Sequence, residues 1–141
     1  MINKITSQQI QNLFSLPLTK LIYKAQNVHN QNFEKGDVQL ASLISIKTGS
    51  CPEDCKYCPQ SAHYNVNLKK ENLINISEVK KAARIAKKNG AHRFCMGAAW
   101  KKLRDGNDLD TVIKMIKEVK SLDLEACVTL GSITEDQAEK L

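Results

Sequence analysis

Aromatic residues are scarce in this chain: three Phe, three Tyr and one Trp make up 5% of its 141 residues. None of them interleaves with the lysine pairs Lys69-Lys70, Lys80-Lys81, Lys87-Lys88 and Lys101-Lys102. A reader of single-stranded nucleic acid needs such stacking platforms within its basic surface. The excess of Lys and Arg (21) over Asp and Glu (15) therefore reads as solvated helix faces and loop rims, and nucleic acid is not an expected partner. No apolar run approaches a membrane span. The opening Met1-Ile2-Asn3-Lys4-Ile5-Thr6-Ser7-Gln8-Gln9 also lacks the apolar core of a secretory signal. The expected setting is cytoplasmic, without a membrane. Low-complexity tracts and short-period repeats are absent too. Five cysteines is an odd number, a poor basis for a disulfide framework, and a cytosolic setting keeps thiols reduced.

Three of those cysteines fall within eight residues, in Cys51-Pro52-Glu53-Asp54-Cys55-Lys56-Tyr57-Cys58, a C-x3-C-x2-C spacing. Thiols this close on a short loop can wrap only something small, and several chemistries compete for them. A structural zinc site calls for four ligands, and His63 is the only nearby fourth candidate. A thioredoxin-like Cys55-Lys56-Tyr57-Cys58 leaves Cys51 without a role. An open-site [4Fe–4S] cluster uses all three, because thiolates are the usual protein ligands of such clusters, and leaves one iron free for a substrate or cofactor. Cys95 and Cys127 stand alone in the sequence, where a single cysteine is commonly a small buried hydrophobe. His29 and His92 read as surface or internally satisfied histidines, and Trp100 as either core or ligand platform.

Around the motif the pattern alternates strand and helix. Ser7 is expected to cap a short helix through Phe14, and Pro17 suits the first turn of a second, running to about Asn30 with the stripe Leu18, Leu21, Ile22, Ala25 and Val28. Gly36-Asp37 punctuates. Val38–Ile46 reads as a strand leading into the cysteine loop. Ser77 is an expected N-cap for a helix with Val79, Ala82, Ala83 and Ala86 on its apolar side, stopped by Asn89-Gly90. Arg93-Phe94-Cys95-Met96 is a short strand, and Asp108 is expected to cap a helix with Leu109, Val112, Ile113, Ile116 and Val119 inward. Residues 124–130 form a third strand, and Thr134 opens a helix that reaches Leu141. The order β–loop–α–β–α–β–α implies parallel strands joined by helical crossovers.

Strand parity sorts the side chains further. Phe94 and Met96 share one face, with Arg93 and Cys95 on the other. Ala126, Val128 and Leu130 share a face opposite Glu125, Cys127 and Thr129. With the apolar sets turned to the helices, Cys95 and Cys127 point to the same inner side of the sheet, alongside Arg93. A cysteine loop at the C-terminal end of the first strand occupies the end where α/β barrels carry their chemistry.

C-x3-C-x2-C with an aromatic before its last cysteine resembles the radical S-adenosylmethionine enzymes. The runs Ser45-Ile46-Lys47-Thr48-Gly49-Ser50-Cys51, Cys58-Pro59-Gln60-Ser61, Arg93-Phe94-Cys95-Met96-Gly97-Ala98-Ala99-Trp100-Lys101 and Leu124-Glu125-Ala126-Cys127-Val128-Thr129-Leu130-Gly131 are similar to the biotin synthase family within them. The resemblance runs from about Leu16 onward. It implies an N-terminal helical segment over residues 1–35, followed over 36–141 by the N-terminal portion, about three βα units, of a (β/α)8 TIM-type barrel. It implies that Cys51, Cys55 and Cys58 hold the [4Fe–4S] cluster, whose open iron chelates S-adenosylmethionine, with Tyr57 near that cofactor. Cys95 and Cys127 match two ligands of a [2Fe–2S] cluster, with Arg93 nearby. The implied reaction is radical insertion of sulfur into dethiobiotin to give biotin, with a flavodoxin-type or other electron donor, iron–sulfur assembly proteins and a homodimer as further partners. A barrel of this kind needs about 250 residues. The second cluster's remaining ligands, a cysteine and an arginine, are then expected beyond Leu141. The isolated chain is expected to fold poorly or associate, and to need the remaining barrel for sulfur insertion. A truncated gene product and half of a two-chain enzyme fit that expectation equally.

Overall fold

The computed structural model describes residues 4–33, 36 and 38–141. Of the punctuation expected at Gly36-Asp37, Asp37 lies outside the described residues. Packing divides the chain into two units, Met1–Val38 and Gln39–Leu141.

The first unit contains α1 (Ser7–Phe14) and α2 (Leu18–Asn32). Thr6, not Ser7, caps α1: its hydroxyl accepts the Gln9 N–H, and the Gln9 side chain accepts the Thr6 N–H in return. That reciprocal pair satisfies two donors that the helix start leaves free, so the cap falls one residue earlier than expected. Pro17 precedes α2 as its N-cap. Neither helix has a buried residue, and Phe14, Leu18 and Tyr23 stay exposed. His29 stacks on Phe33 with ring centroids 5.1 Å apart.

The second unit is a three-stranded parallel sheet in the order β1 (Ala41–Lys47), β2 (Arg93–Ala98) and β3 (Glu125–Thr129). The crossovers carry α3 (Ile76–Lys88) and α4 (Asn107–Lys120), and α5 (Glu135–Lys140) follows β3. Ile46, Phe94 and Met96 meet Val79, Ala83 and Ala86 of α3 and Leu109, Val112, Met115, Ile116 and Val119 of α4 in one buried cluster. Phe94 is 1% exposed, and burying a side chain of that size stabilises by about 1.5–3 kcal/mol. The three βα units are therefore those expected, with shifted edges. β1 starts at Ala41 instead of Val38, β2 runs on to Ala98, and β3 is shorter at both ends.

In this unit two further helix starts differ from expectation. α3 is capped at Asn75, whose N–H donates to Glu78 Oε2 at 2.9 Å, and Ser77 lies inside the helix. Glu78 stands three residues after Asn75 and so completes a capping box there, which moves the start two residues back. α4 begins after Gly106 (φ +79°), and Asp108 joins Asp110 in its first turn, where negative charge suits the helix dipole. Thr134 caps α5 as expected, its hydroxyl accepting the Gln137 N–H. No described helix is long and apolar enough to cross a membrane.

Candidate metal centre

The cysteine loop leaves β1 through a sharp reversal. Gly49 and Ser50 both take left-handed backbone angles (φ +73° and +54°), so the chain turns over the strand end within two residues. Glycine meets this conformation without steric cost, whereas Ser50 is held there by its neighbours. Those neighbours are numerous. Thr48 exchanges backbone hydrogen bonds with Glu71 (3.2 and 2.9 Å). The Gly49 N–H donates to Gln60 Oε1 (2.6 Å), and the Gly49 carbonyl accepts from Lys47 Nζ (2.8 Å). The Cys51 N–H donates to the Gln60 carbonyl (2.9 Å), and the Ala62 N–H to the Cys51 carbonyl (2.8 Å), closing the loop base.

Within the loop, the Cys58 N–H donates to the Cys55 carbonyl at 2.9 Å and the Ser61 N–H to the Cys58 carbonyl at 3.2 Å, tight turns that bring the last two cysteines around. Buried Ser61 donates its hydroxyl to the Glu53 carbonyl (2.6 Å), and the Glu53 carboxylate meets Lys101 Nζ at 3.0 Å. Tyr64 donates its hydroxyl to Asp54; that bond raises the phenol's pKa above its ordinary value. Cys51 and Cys58 are half-buried and Cys55 is exposed, all as free thiols. Tyr57 is 91% exposed.

Among the described residues, no three His, Cys, Asp or Glu side chains are placed to share one metal ion. The fit to a metal therefore rests on donor chemistry: three thiols, each a soft anionic ligand once deprotonated, on a loop whose backbone is fixed at both ends. That set suits iron–sulfur ligation. His63, the fourth ligand that zinc would want, has Nε2 3.1 Å from the Pro52 carbonyl. That bond occupies Nε2 and leaves Nδ1 as the ring's remaining lone-pair donor.

Cys95 and Cys127 lie directly opposite each other across β2 and β3, on the face away from the helices. Arg93 pairs with Glu125 one register step along that face, Nη2 to Oε1 2.6 Å. Glu125 also accepts from Gln39 Nε2 (2.7 Å). Leu43, opposite Cys95 on β1, is 74% exposed on the same side. Burial pushes the Cys95 thiol up, and the neighbouring Cys127 adds to the shift. Arg93 and then Gln39 hold the Glu125 carboxyl below its ordinary value. Arg93 Nε is buried without a hydrogen-bond partner among the described residues.

The structure thus gathers Cys51, Cys55, Cys58 and Tyr57 on one loop, and Cys95, Cys127 and Arg93 on one sheet face. His92 is structural, its Nδ1 accepting the Leu40 N–H (3.2 Å). Trp100 packs partly against the core while lining a cavity of about 820 Å³ with Lys47, Ser50 and Pro52. Sequence reasoning gave no role to Lys47, Gln60 or Lys101. Gln60 left at most a weak signal, a polar side chain two residues after the last cysteine of the run.

No protein-family model matches the chain. Individual relatives do. It is 52% identical to the biotin synthase of Hahella chejuensis over 134 residues, 95% of this chain and 38% of that protein. It is 52% identical to that of Idiomarina loihiensis over 139 residues (99% and 40%), and 55% identical to that of Zymomonas mobilis over 129 residues (92% and 38%). The chain spans about two fifths of the length of the curated relatives it matches. Over nearly all of its own length, the chain matches the N-terminal part of the biotin synthases.

Proposed function

We propose that this chain is the cluster-bearing N-terminal part of an enzyme that converts dethiobiotin to biotin with S-adenosylmethionine, by sulfur insertion. The observation that carries this is the clamped loop bearing Cys51, Cys55 and Cys58 at the C-terminal end of β1, in a chain that matches biotin synthases almost throughout. In this reading residues 1–35 are a helical segment, and residues 36–141 are the first βα units of a (β/α)8 barrel.

Cys51, Cys55 and Cys58 would hold a [4Fe–4S] cluster, and Cys95 with Cys127 two positions of a [2Fe–2S] cluster whose other ligands are not among these five cysteines. When bound, the two groups supply the electron that cleaves S-adenosylmethionine and the sulfur that enters the product. The chain's own residues bind and orient. Gln60 fixes the peptide before the loop, and Glu53 ties the loop to Lys101. Exposed Tyr57, next to Cys58, is free to contact S-adenosylmethionine. Glu125 fixes Arg93 beside Cys95 and Cys127. A flavodoxin-type donor, iron–sulfur assembly proteins, a homodimer and a cytoplasmic setting belong to the same proposal.

Cysteine substitution separates the two sites. Cys51→Ser, Cys55→Ser and Cys58→Ser should each sharply reduce sulfide-bridged iron taken up under anaerobic reconstitution. Cys95→Ala and Cys127→Ala should leave that uptake in place and lower only retention of additional iron. Equal uptake by wild type and the three serine variants would remove the loop from the site.

A further inference from the structure

Lys47, the last residue of β1, is tied twice to Ala99, the residue just after β2. Its carbonyl accepts the Ala99 N–H (2.9 Å), and its Nζ donates to the Ala99 carbonyl (3.0 Å). The same Nζ donates to the Gly49 carbonyl (2.8 Å), two residues before Cys51. Both acceptors are neutral. The side chain is half-buried, and among the described residues no carboxylate forms an ion pair with it. Arg104 and Asp108 line the same cavity and act on it with opposite signs at longer range. Two neutral carbonyls could be bridged by a neutral donor at no cost in charge desolvation. A partly desolvated cation here therefore wants an anionic neighbour, and the adjacent loop carries three thiols that become anions on ligating metal.

We propose that Lys47 is a positioning residue for the cysteine loop: its ammonium joins the Gly49 and Ala99 carbonyls, fixing the loop to the end of β2, and its charge balances the thiolates the loop carries. This rests on the reading of that loop as a cluster site. Fixing the peptide that leads into Cys51 holds the first ligand in place, and the charge favours the reduced, more negative state of a bound cluster.

The test uses the full chain as wild type, Lys47→Met and Lys47→Arg, each reconstituted anaerobically with iron and sulfide. Lys47→Met should release iron to a chelator roughly tenfold faster, the scale seen when partners of metal ligands are removed. Its reduction potential should fall relative to wild type, and Lys47→Arg should restore the potential. Should Lys47→Met lose its circular dichroism, Lys47→Gln, which keeps a donor without the charge, is measured for the same two quantities. A variant that lacks the charge yet matches wild type in release rate and potential overturns the role of Lys47 alone. A wild-type chain that takes up no sulfide-bridged iron overturns this role and the cluster reading together.

Discussion

Glu125 illustrates how much single side chains on the face opposite the helices depend on one another. Arg93 and Gln39 both reach it, and each favours its ionised form. Its folded pKa lies below its unfolded one, so the folded state holds fewer protons in acid. The pair's contribution is then present above the ordinary glutamate value and lost as pH falls through the depressed one. Both side chains are partly exposed (36% and 51%), so the contribution is small and screened by salt. Glu125→Gln should therefore be less stable than wild type near neutral pH, with the gap closing through that acid window. Urea denaturation at a series of pH values measures it, and a gap that persists undiminished below the window would contradict the ion pair. The charges themselves were legible in the sequence as inward residues of β2 and β3. Gln39, from outside β1, was not, since nothing in a linear pattern connects residues 39 and 125.

The loops that follow β2 and β3 lock together as elements. Leu103 N–H donates to the Ser132 carbonyl (3.1 Å), and Ser132 N–H to the Lys101 carbonyl (2.9 Å). Gln137, 1% exposed on α5, donates to Asp105 Oδ1 at 2.7 Å. Gly131 sits inside this lock with φ +74°, and a Cβ there would stand 2.4 Å from the Trp100 carbonyl oxygen. That neighbour is backbone and cannot rotate away. Gly131→Ala should cost about 1–3 kcal/mol for the backbone angle alone, with the clash adding to it. An unchanged urea midpoint would show that the two loops separate freely. The βα order was readable because apolar periodicity switches cleanly between strand and helix. The helix starts were less so: Thr6 beside Ser7, and Asn75 beside Ser77, offer competing caps. Only the reach of Gln9 and Glu78 decides between them. Gly106 offered no side-chain signal at all.

At the scale of the whole molecule, the sequence places the two cysteine groups correctly relative to the sheet. The trio follows the C-terminal end of β1, and Cys95 and Cys127 share the face away from the helices because side chains alternate along a strand. What could not be read was most of the scaffold that fixes the loop: Lys47 reaches Ala99 and Lys101 reaches Glu53 across long stretches of sequence, and Gln60 acts by accepting a single backbone N–H at Gly49. The chemistry proposed for the molecule stands on three thiolates binding an iron–sulfur cluster with one iron open. Anaerobic reconstitution with iron and sulfide, followed by EPR of the reduced protein with and without S-adenosylmethionine, tests this most directly. About four irons and four sulfides per chain at the loop, with a signal that S-adenosylmethionine perturbs, is the predicted result. Tight zinc binding with no uptake of sulfide would contradict it.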